Sequence, residues 1–152
     1  MVKSAGLLMY KFENGELKVL LGHPGGPFFN KKDEGVWSIP KGMIEENEDP
    51  LEAAKREFEE EVGRAPKGKF IPLDSIKQKS GKVVWVWAFE GNMEKFEPKS
   101  FFDMEWPPRS GKKQSFPEMD KAELFSIEDA RKKIMPAQME FVERLKTTLK
   151  LS

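Results

Sequence analysis

The chain has 152 residues, of which 38% are hydrophobic and 11% aromatic, so it can build one compact domain with a buried core, spanning residues 1–152. Its 26 basic and 26 acidic residues cancel, which gives no overall electrostatic reason to expect binding to nucleic acid or to a membrane. Because the sequence has no cysteine, disulfides, zinc–thiolate sites and cysteine nucleophiles are excluded.

The first elements predicted along the chain are two strands joined by a tight turn. Residues 3–12 are small and apolar enough for a strand, but their apolar run is too short for a signal peptide. No later segment is long and apolar enough to span a bilayer, so we expect a cytoplasmic protein. Asn14-Gly15 is the dipeptide most favoured in a type I′ hairpin turn, and residues 16–21 alternate as the returning strand.

A loop, a short strand and a helix are predicted next. Residues 22–35 are rich in Gly, Pro and Phe and predict a loop, whereas residues 36–39 predict a short strand. Asp49 as N-cap and Pro50 at the first position predict the start of a helix, which Gly63 ends as a left-handed cap. The helix carries an apolar stripe that faces a core: Leu51, Ala54, Phe58 and Val62.

The second half of the chain predicts two more strands and two final helices. Residues 69–77 and 82–89 read as strands, and residues 91–118, which contain several prolines, read as irregular. One helix begins at Ile127, and an amphipathic helix covers about residues 137–150. The predicted elements occur in the order of strands first, one helix in the middle and helices last. This order predicts an α/β/α sandwich with a mixed β-sheet.

One segment, residues 43–63, departs from the even charge balance because it has nine acidic residues and only two basic ones. On a helical wheel with about 100° per residue, Glu59 falls on one flank as an ordinary solvated residue. The other flank holds three carboxylates with only Ala53 between them: Glu57, Glu60 and Glu61.

Carboxylates three and four residues apart on a helix repel one another, and a hard divalent cation would remove that repulsion. The cation would also polarise a phosphoryl oxygen and lower the pKa of a bound water. The alternative is a Glu-rich, solvent-facing helix with internal ion pairs to Lys55 or Arg56, and the charge pattern alone does not separate the two interpretations.

The stretch that begins at Gly42, GMIEENEDPLEAAKREFEEEVGR, closely resembles the Nudix box. Only Arg64 departs from the pattern, standing where an apolar residue is usual, and we expect a local packing difference there. The resemblance continues in the lead-in of residues 37–42 and in the late segment FPEMDKAELFSIEDA, so the whole chain looks like one Nudix domain. The matching box positions are Gly42, Glu48, Arg56, Glu57, Phe58, Glu60, Glu61 and Gly63.

The resemblance implies a Nudix-type fold and hydrolysis of a nucleoside diphosphate linked to another group, with Mg²⁺ or Mn²⁺ as cofactor. It implies that Arg56 and Glu48 orient the loop and helix, and that Gly63 is structural. The general base would be one of the helix glutamates or Glu118, which precedes the last strand and could equally be a surface residue. The implied metal ligands are the backbone carbonyl of Gly42 and the carboxylates of Glu57, Glu60 and Glu61.

The substrate is less closely defined by the sequence. The lead-in resembles that of the diadenosine tetraphosphate hydrolase branch, and Lys41 within it could meet a phosphate or only shape the loop. A basic run that includes Arg109, Lys112 and Lys113 could bind a polyphosphate or be a solvated loop. The best-supported substrate is a dinucleoside polyphosphate such as diadenosine tetraphosphate, or a nucleoside triphosphate. Aromatic residues near loops could stack an adenine: Phe28, Phe29, Phe102 and Trp106.

Two points remain open at this stage. The single histidine, His23, reads as part of loop structure, with a role as a loop base as the alternative. A catalytically weak Nudix-fold module that senses nucleotides is the second functional hypothesis. The expected partner is a nucleotide-like small molecule, and the sequence does not predict the oligomeric state.

Overall fold

The computed structural model describes residues 2–150. In this part of the chain there are eight strands, three α-helices and one 3₁₀ turn at Pro136–Gln138. The strands are β1 (Lys3–Glu13), β2 (Glu16–Pro24), β3 (Lys41–Met43), β4 (Ile71–Lys77), β5 (Val83–Glu90), β6 (Phe101–Glu105), β7 (Lys113–Pro117) and β8 (Met119–Ser126). The α-helices are α1 (Pro50–Val62), α2 (Ile127–Lys133) and α3 (Met139–Thr148).

A mixed, six-stranded sheet forms the centre of the fold, in the order β4-β5-β1-β2-β8, with β3 also paired to β1. The β1–β5 pair is parallel, and the other pairs of this sheet are antiparallel. One apolar cluster contains Phe58 and Val62 of α1, and a second contains Phe141 and Leu145 of α3. Helices therefore cover both faces, and the α/β/α sandwich with a mixed sheet is confirmed.

The Asn14-Gly15 turn and the two ends of α1 lie where the sequence predicted them. Asn14 and Gly15 have φ angles of 52° and 79°, the left-handed values that a type I′ turn requires. The Asp49 side chain accepts the Glu52 N–H at 3.2 Å and so caps α1. At the other end Gly63, with φ of 84°, donates its N–H to the Glu59 carbonyl at 2.9 Å.

The strand predicted at residues 36–39 is wrong. That segment makes only single bridges, between Ser38 and Gly22 and between Trp37 and Ile134, and the strand β3 begins after it. Trp37 and Ile39 are buried, so the apolar pattern reflects packing against the core. Apolar runs of this length do not distinguish a strand from a buried connection.

The irregular structure predicted for residues 91–118 is also wrong in part. β6 and β7 form a separate antiparallel hairpin in which Phe101 pairs with Pro117 and Glu105 with Lys113. Most of the hairpin is exposed, so its strands lack the alternation of apolar and polar residues that would have revealed them. In the described part of the chain, no helix is both long and apolar enough to cross a membrane.

Candidate active site

Arg56, in the middle of α1, joins the helix to the loop before it. Its Nε and Nη2 donate to the two oxygens of Glu48 at 2.8 and 3.0 Å, a bidentate pair. Nη1 donates to Glu57 at 2.9 Å and to Glu60 at 3.3 Å, and Nη2 also reaches the Met43 carbonyl at 3.1 Å. One guanidinium therefore positions the loop and two of the helix carboxylates together.

Glu48 closes the same loop on itself. Its Oε1 accepts the Glu45 N–H at 3.0 Å in addition to the bond from Arg56. These donors, Arg56 first, hold the pKa of Glu48 at about 2, well below its ordinary value of 4.5. The Glu48 carboxylate is therefore ionised, and both of its oxygens accept hydrogen bonds that hold the loop in place.

Gly42 lies in β3, paired with Ala5 of the central strand β1, and faces the side chain of Glu57. A β-carbon at position 42 would stand 2.0 Å from Cδ of Glu57 and 2.2 and 2.4 Å from its two oxygens. Any side chain at this position would displace the carboxylate. Glycine is needed here for space, and it leaves the Glu57 carboxylate beside the backbone of the loop.

A cavity of about 180 Å³ opens next to this contact, lined in part by Lys41, Glu61, Glu118 and Met119. Burial, with the nearby carboxylates of Glu57 and Glu118, raises the pKa of Glu61 to about 8. Burial and a neighbouring lysine, Lys82, lower the pKa of Lys41 to about 8. The cavity therefore combines carboxylates that repel one another with the half-buried amino group of Lys41.

Two predictions about the helix surface have different outcomes. Glu59 is exposed, in agreement with its assignment as a solvated residue. Ala53, predicted to lie between the site carboxylates and to leave room for something to approach, is fully buried in a core cluster. The helical wheel could not foresee that Ala53 would join the cluster that contains Ala5 and Leu7 of β1.

His23 also lines the cavity, and it belongs to strand β2, so its assignment to loop structure is wrong. The ring is 2% exposed and packs edge-on against Trp37. Nδ1 lies 2.7 Å from Oδ1 of Asp120, and Nε2 lies 2.6 Å from the Lys32 carbonyl. Both ring nitrogens thus lie within hydrogen-bond distance of an oxygen atom, which fixes the orientation of the ring.

Sequence reasoning did not single out Asp120 as the partner of His23. The two residues are 97 positions apart, and β2–β8 pairing brings them together. In contrast, the basic residues Arg109 and Lys112 lie at the turn of the β6–β7 hairpin and not in the lining of this cavity. Of the predicted site residues, those brought together are Lys41, Gly42, Glu48, Arg56, Glu57, Glu60, Glu61 and Glu118.

The donor set suits a hard cation such as Mg²⁺, which prefers carboxylate and carbonyl oxygens. Positive charge would relieve the repulsion that helps to raise the pKa of Glu57 and Glu61. Within residues 2–150, however, no three Asp, Glu, His or Cys side chains are placed to hold a metal ion by themselves. Glu57 and Glu60 point to Arg56 instead, so metal binding would require these side chains to change rotamer.

Comparison with known proteins decides the family. The family model described as NUDIX domain matches residues 2–145. The chain belongs to the Nudix family. The resemblance of residues 42–63 to the Nudix box is thereby confirmed at the level of the whole chain.

Among curated relatives, two proteins named RNA pyrophosphohydrolase align with part of this Nudix chain. The protein from Gluconacetobacter diazotrophicus is 36% identical over 67 residues, covering 40% of this chain and 36% of its own. The protein from Bradyrhizobium is 30% identical over 88 residues, covering 55% and 52%. The matched regions therefore span about a third to a half of these relatives.

Solved structures show the same fold over nearly the whole Nudix chain. The NUDIX domain of Shewanella oneidensis NrtR complexed with ADP ribose has a TM-score of 0.71 at 14% identity, covering 98% of this chain and 88% of that one. A C. elegans Ap4A hydrolase binary complex has a TM-score of 0.67 at 23% identity, covering 99% and 98%. At these identities the likeness concerns the fold alone.

Proposed function

We propose that this Nudix protein is a divalent-cation-dependent pyrophosphohydrolase that cleaves a diphosphate linkage in a nucleoside diphosphate derivative. The observation that carries the proposal is the contact of Gly42 with the Glu57 carboxylate, next to a cavity that holds Glu61 and Lys41. A purely structural helix does not need a glycine to make space for one carboxylate, nor a second, half-buried carboxylate close to the first.

Mg²⁺ or Mn²⁺ is the proposed cofactor, held by the Gly42 carbonyl and the carboxylates of Glu57, Glu60 and Glu61. When bound, such an ion neutralises phosphate charge and lowers the pKa of a coordinated water. Arg56 would hold the loop against α1 through Glu48, while Glu57 and Glu60 turn from Arg56 toward the ion. A divalent ion also explains why the helix can concentrate carboxylates that otherwise repel one another.

Two further side chains have proposed roles at the cavity. The Lys41 ammonium, half-buried and close to the carboxylates, would contact a phosphate oxygen of the substrate as a point charge. Glu118 is exposed at the rim and close enough to raise the pKa of Glu61. Either Glu118 or a helix glutamate would take the proton from the attacking water.

For the substrate we favour a dinucleoside polyphosphate such as diadenosine tetraphosphate, or a nucleoside triphosphate. The full-length fold similarity to C. elegans Ap4A hydrolase supports the first choice. Two relatives that align with part of the chain are named RNA pyrophosphohydrolase, so RNA with a pyrophosphate linkage is a further candidate substrate.

Turnover with Mg²⁺ of diadenosine polyphosphates, nucleoside triphosphates, ADP-ribose, nucleotide sugars and 5′-triphosphorylated RNA tests the proposal. We expect hydrolysis of at least one of them, abolished by chelation and restored by Mg²⁺. Binding of a nucleotide without any turnover would refute the enzymatic function and favour a nucleotide-sensing module.

A further inference from the structure

Gln138 is a buried polar residue that lies outside the lining of the cavity. It is the last residue of the 3₁₀ turn between α2 and α3, and it is 1% exposed. An amide that is buried without hydrogen-bond partners destabilises a fold. The groups that the Gln138 side chain contacts therefore account for its presence in the interior.

Both ends of the Gln138 amide bind the lead-in to the candidate active site, residues 37–42. Oε1 accepts the Ile39 N–H at 2.8 Å, and Nε2 donates to Oγ of Ser38 at 3.1 Å. The Ser38 hydroxyl in turn donates to the Ile39 carbonyl at 2.9 Å. Because a backbone N–H can only donate, the contact with Ile39 fixes which end of the amide is the oxygen. Gln138 thus binds the lead-in across a sequence separation of 99 residues.

The Gln138 side chain continues a row of hydrogen bonds between the segment before the cavity and the end of α2. Alternate N–H groups of that segment, at Gly35 and Trp37, donate to the backbone carbonyls of residues 132–133 at 3.1 and 3.0 Å. The next alternate N–H is that of Ile39, and its acceptor is the side chain of Gln138. An amide side chain has the same donor and acceptor groups as a peptide bond, so it takes the place of one here.

The segment that Gln138 holds forms one wall of the cavity, since residues 38–41 all line it. The Ser38 backbone exchanges two hydrogen bonds with strand β2, at 2.8 and 2.9 Å, and the Pro40 carbonyl accepts an N–H of β1 at 3.2 Å. The sheet therefore holds Ser38 and Pro40, and Gln138 holds Ile39 between them. A shift of this segment would also move the start of β3, which follows it directly.

We propose that Gln138 is a positioning residue of the active site. By fixing the peptide between Ser38 and Ile39, its amide sets the place of the backbone that continues into Lys41 and Gly42. This inference rests on the proposed pyrophosphohydrolase function, in which Lys41 contacts the substrate and the Gly42 carbonyl binds the cation. Gln138 acts through the backbone of the lead-in and contacts neither the substrate nor the cation itself.

The test is the variant Gln138→Met, because methionine is an unbranched side chain that lacks the amide. We would measure kcat and the Mg²⁺ concentration for half-maximal rate, using the substrate that the turnover panel identifies, well below the melting temperature. The variant should lower kcat by about 10²-fold, the scale for a group misplaced by about 1 Å, and raise that Mg²⁺ concentration. A side chain that only stabilised the fold would leave both quantities unchanged in the folded protein.

The matched control is Val142→Ala, on α3. Val142 is fully buried in the same apolar cluster as Ile39, but its side chain has no hydrogen-bonding group. Its truncation should lower the melting temperature and leave kcat and the half-maximal Mg²⁺ concentration unchanged below that temperature. Unchanged kinetics in Gln138→Met, or an equal fall of kcat in Val142→Ala, would overturn the proposal.

Amide hydrogen exchange in chelator separates this inference from the proposed function, because it needs neither substrate nor metal. The reference is the N–H of Val19, which is paired on both sides within the sheet. Gln138→Met should speed exchange at Ile39 roughly 3- to 10-fold more than at Val19, the factor for one lost hydrogen bond. This selective change would support the positioning role even if no substrate were hydrolysed. An equal change at Ile39 and Val19 would refute it even if hydrolysis were established.

Discussion

The backbone of Gly42 and the carboxylate of Glu57 occupy adjoining space, so that a β-carbon on Gly42 would lie only 2.0 Å from Cδ of Glu57. Gly42 belongs to a three-residue strand and Glu57 to the middle of α1. The short strand and the helix are therefore packed so that one carboxylate of the acidic helix lies against the backbone of the strand. Four predictions test the site that is built around this contact.

Gly42→Ala should displace the Glu57 carboxylate, because both its oxygens lie within 2.4 Å of the added carbon. We expect turnover to fall by about 10²-fold, the scale typical of a misplaced catalytic group, with a higher Mg²⁺ concentration needed for half-maximal rate. Gly91→Ala is the control, since its β-carbon would meet the flexible end of Met9 at 2.9 Å. Full activity of Gly42→Ala would show that Glu57 need not occupy this position.

Glu61→Gln should lower the rate by about 10²–10⁴-fold, the range for loss of an acid–base group or its equivalent. The carboxyl is half-buried close to other carboxylates, so an amide removes repulsion and the melting temperature in chelator should not fall. Glu59→Gln is the matched control because Glu59 is exposed on the opposite flank of α1. If Glu61→Gln kept full activity, the assignment of the site would be wrong.

Glu48→Gln should make stability depend less on pH. Because the folded-state pKa of Glu48, about 2, is below its ordinary 4.5, its ion pair with Arg56 stabilises the fold above pH 4.5 and is lost as pH falls toward 2. We expect the variant to lose about 2 kcal/mol of unfolding free energy at pH 7. The difference should narrow between pH 4.5 and 3 in urea unfolding.

The control for Glu48→Gln is Glu46→Gln, at an exposed position in the same loop. It should leave the unfolding free energy unchanged within about 0.5 kcal/mol at each pH. A Glu48→Gln difference that stayed constant from pH 7 to pH 3 would contradict the assignment of the ion pair as its cause.

His23→Leu should destabilise the protein while sparing the chemistry. It would leave the Asp120 carboxylate and the Lys32 carbonyl without their donor, at a cost of about 1–3 kcal/mol in urea unfolding. Asp120→Asn should cost less, because the amide oxygen can still accept from the ring. A loss of kcat by orders of magnitude at unchanged stability would instead support His23 as a base.

The sequence by itself determined the features that depend on neighbouring residues. The caps of α1 at Asp49 and Gly63 and the Asn14-Gly15 turn follow from backbone preferences that act over a few positions. The helical period also placed Glu57, Glu60 and Glu61 on one flank of α1. The resemblance to the Nudix box then added Gly42, Glu48 and Arg56. In the structure Arg56 contacts Glu48, and Gly42 lies against Glu57.

Only the tertiary structure decided which residues are buried and which of them meet at the cavity. Ala53 is buried in a cluster that includes Ala5 and Leu7 of β1, and His23 meets Asp120 because β2 pairs with β8. The β6–β7 hairpin was not foreseen, since its exposed strands carry little apolar pattern. These relationships join residues far apart in the chain, and non-local packing leaves no periodic signal in the sequence. The Gly42–Glu57 contact belongs to both categories: its residue types could be read from the sequence, but the space between them could not.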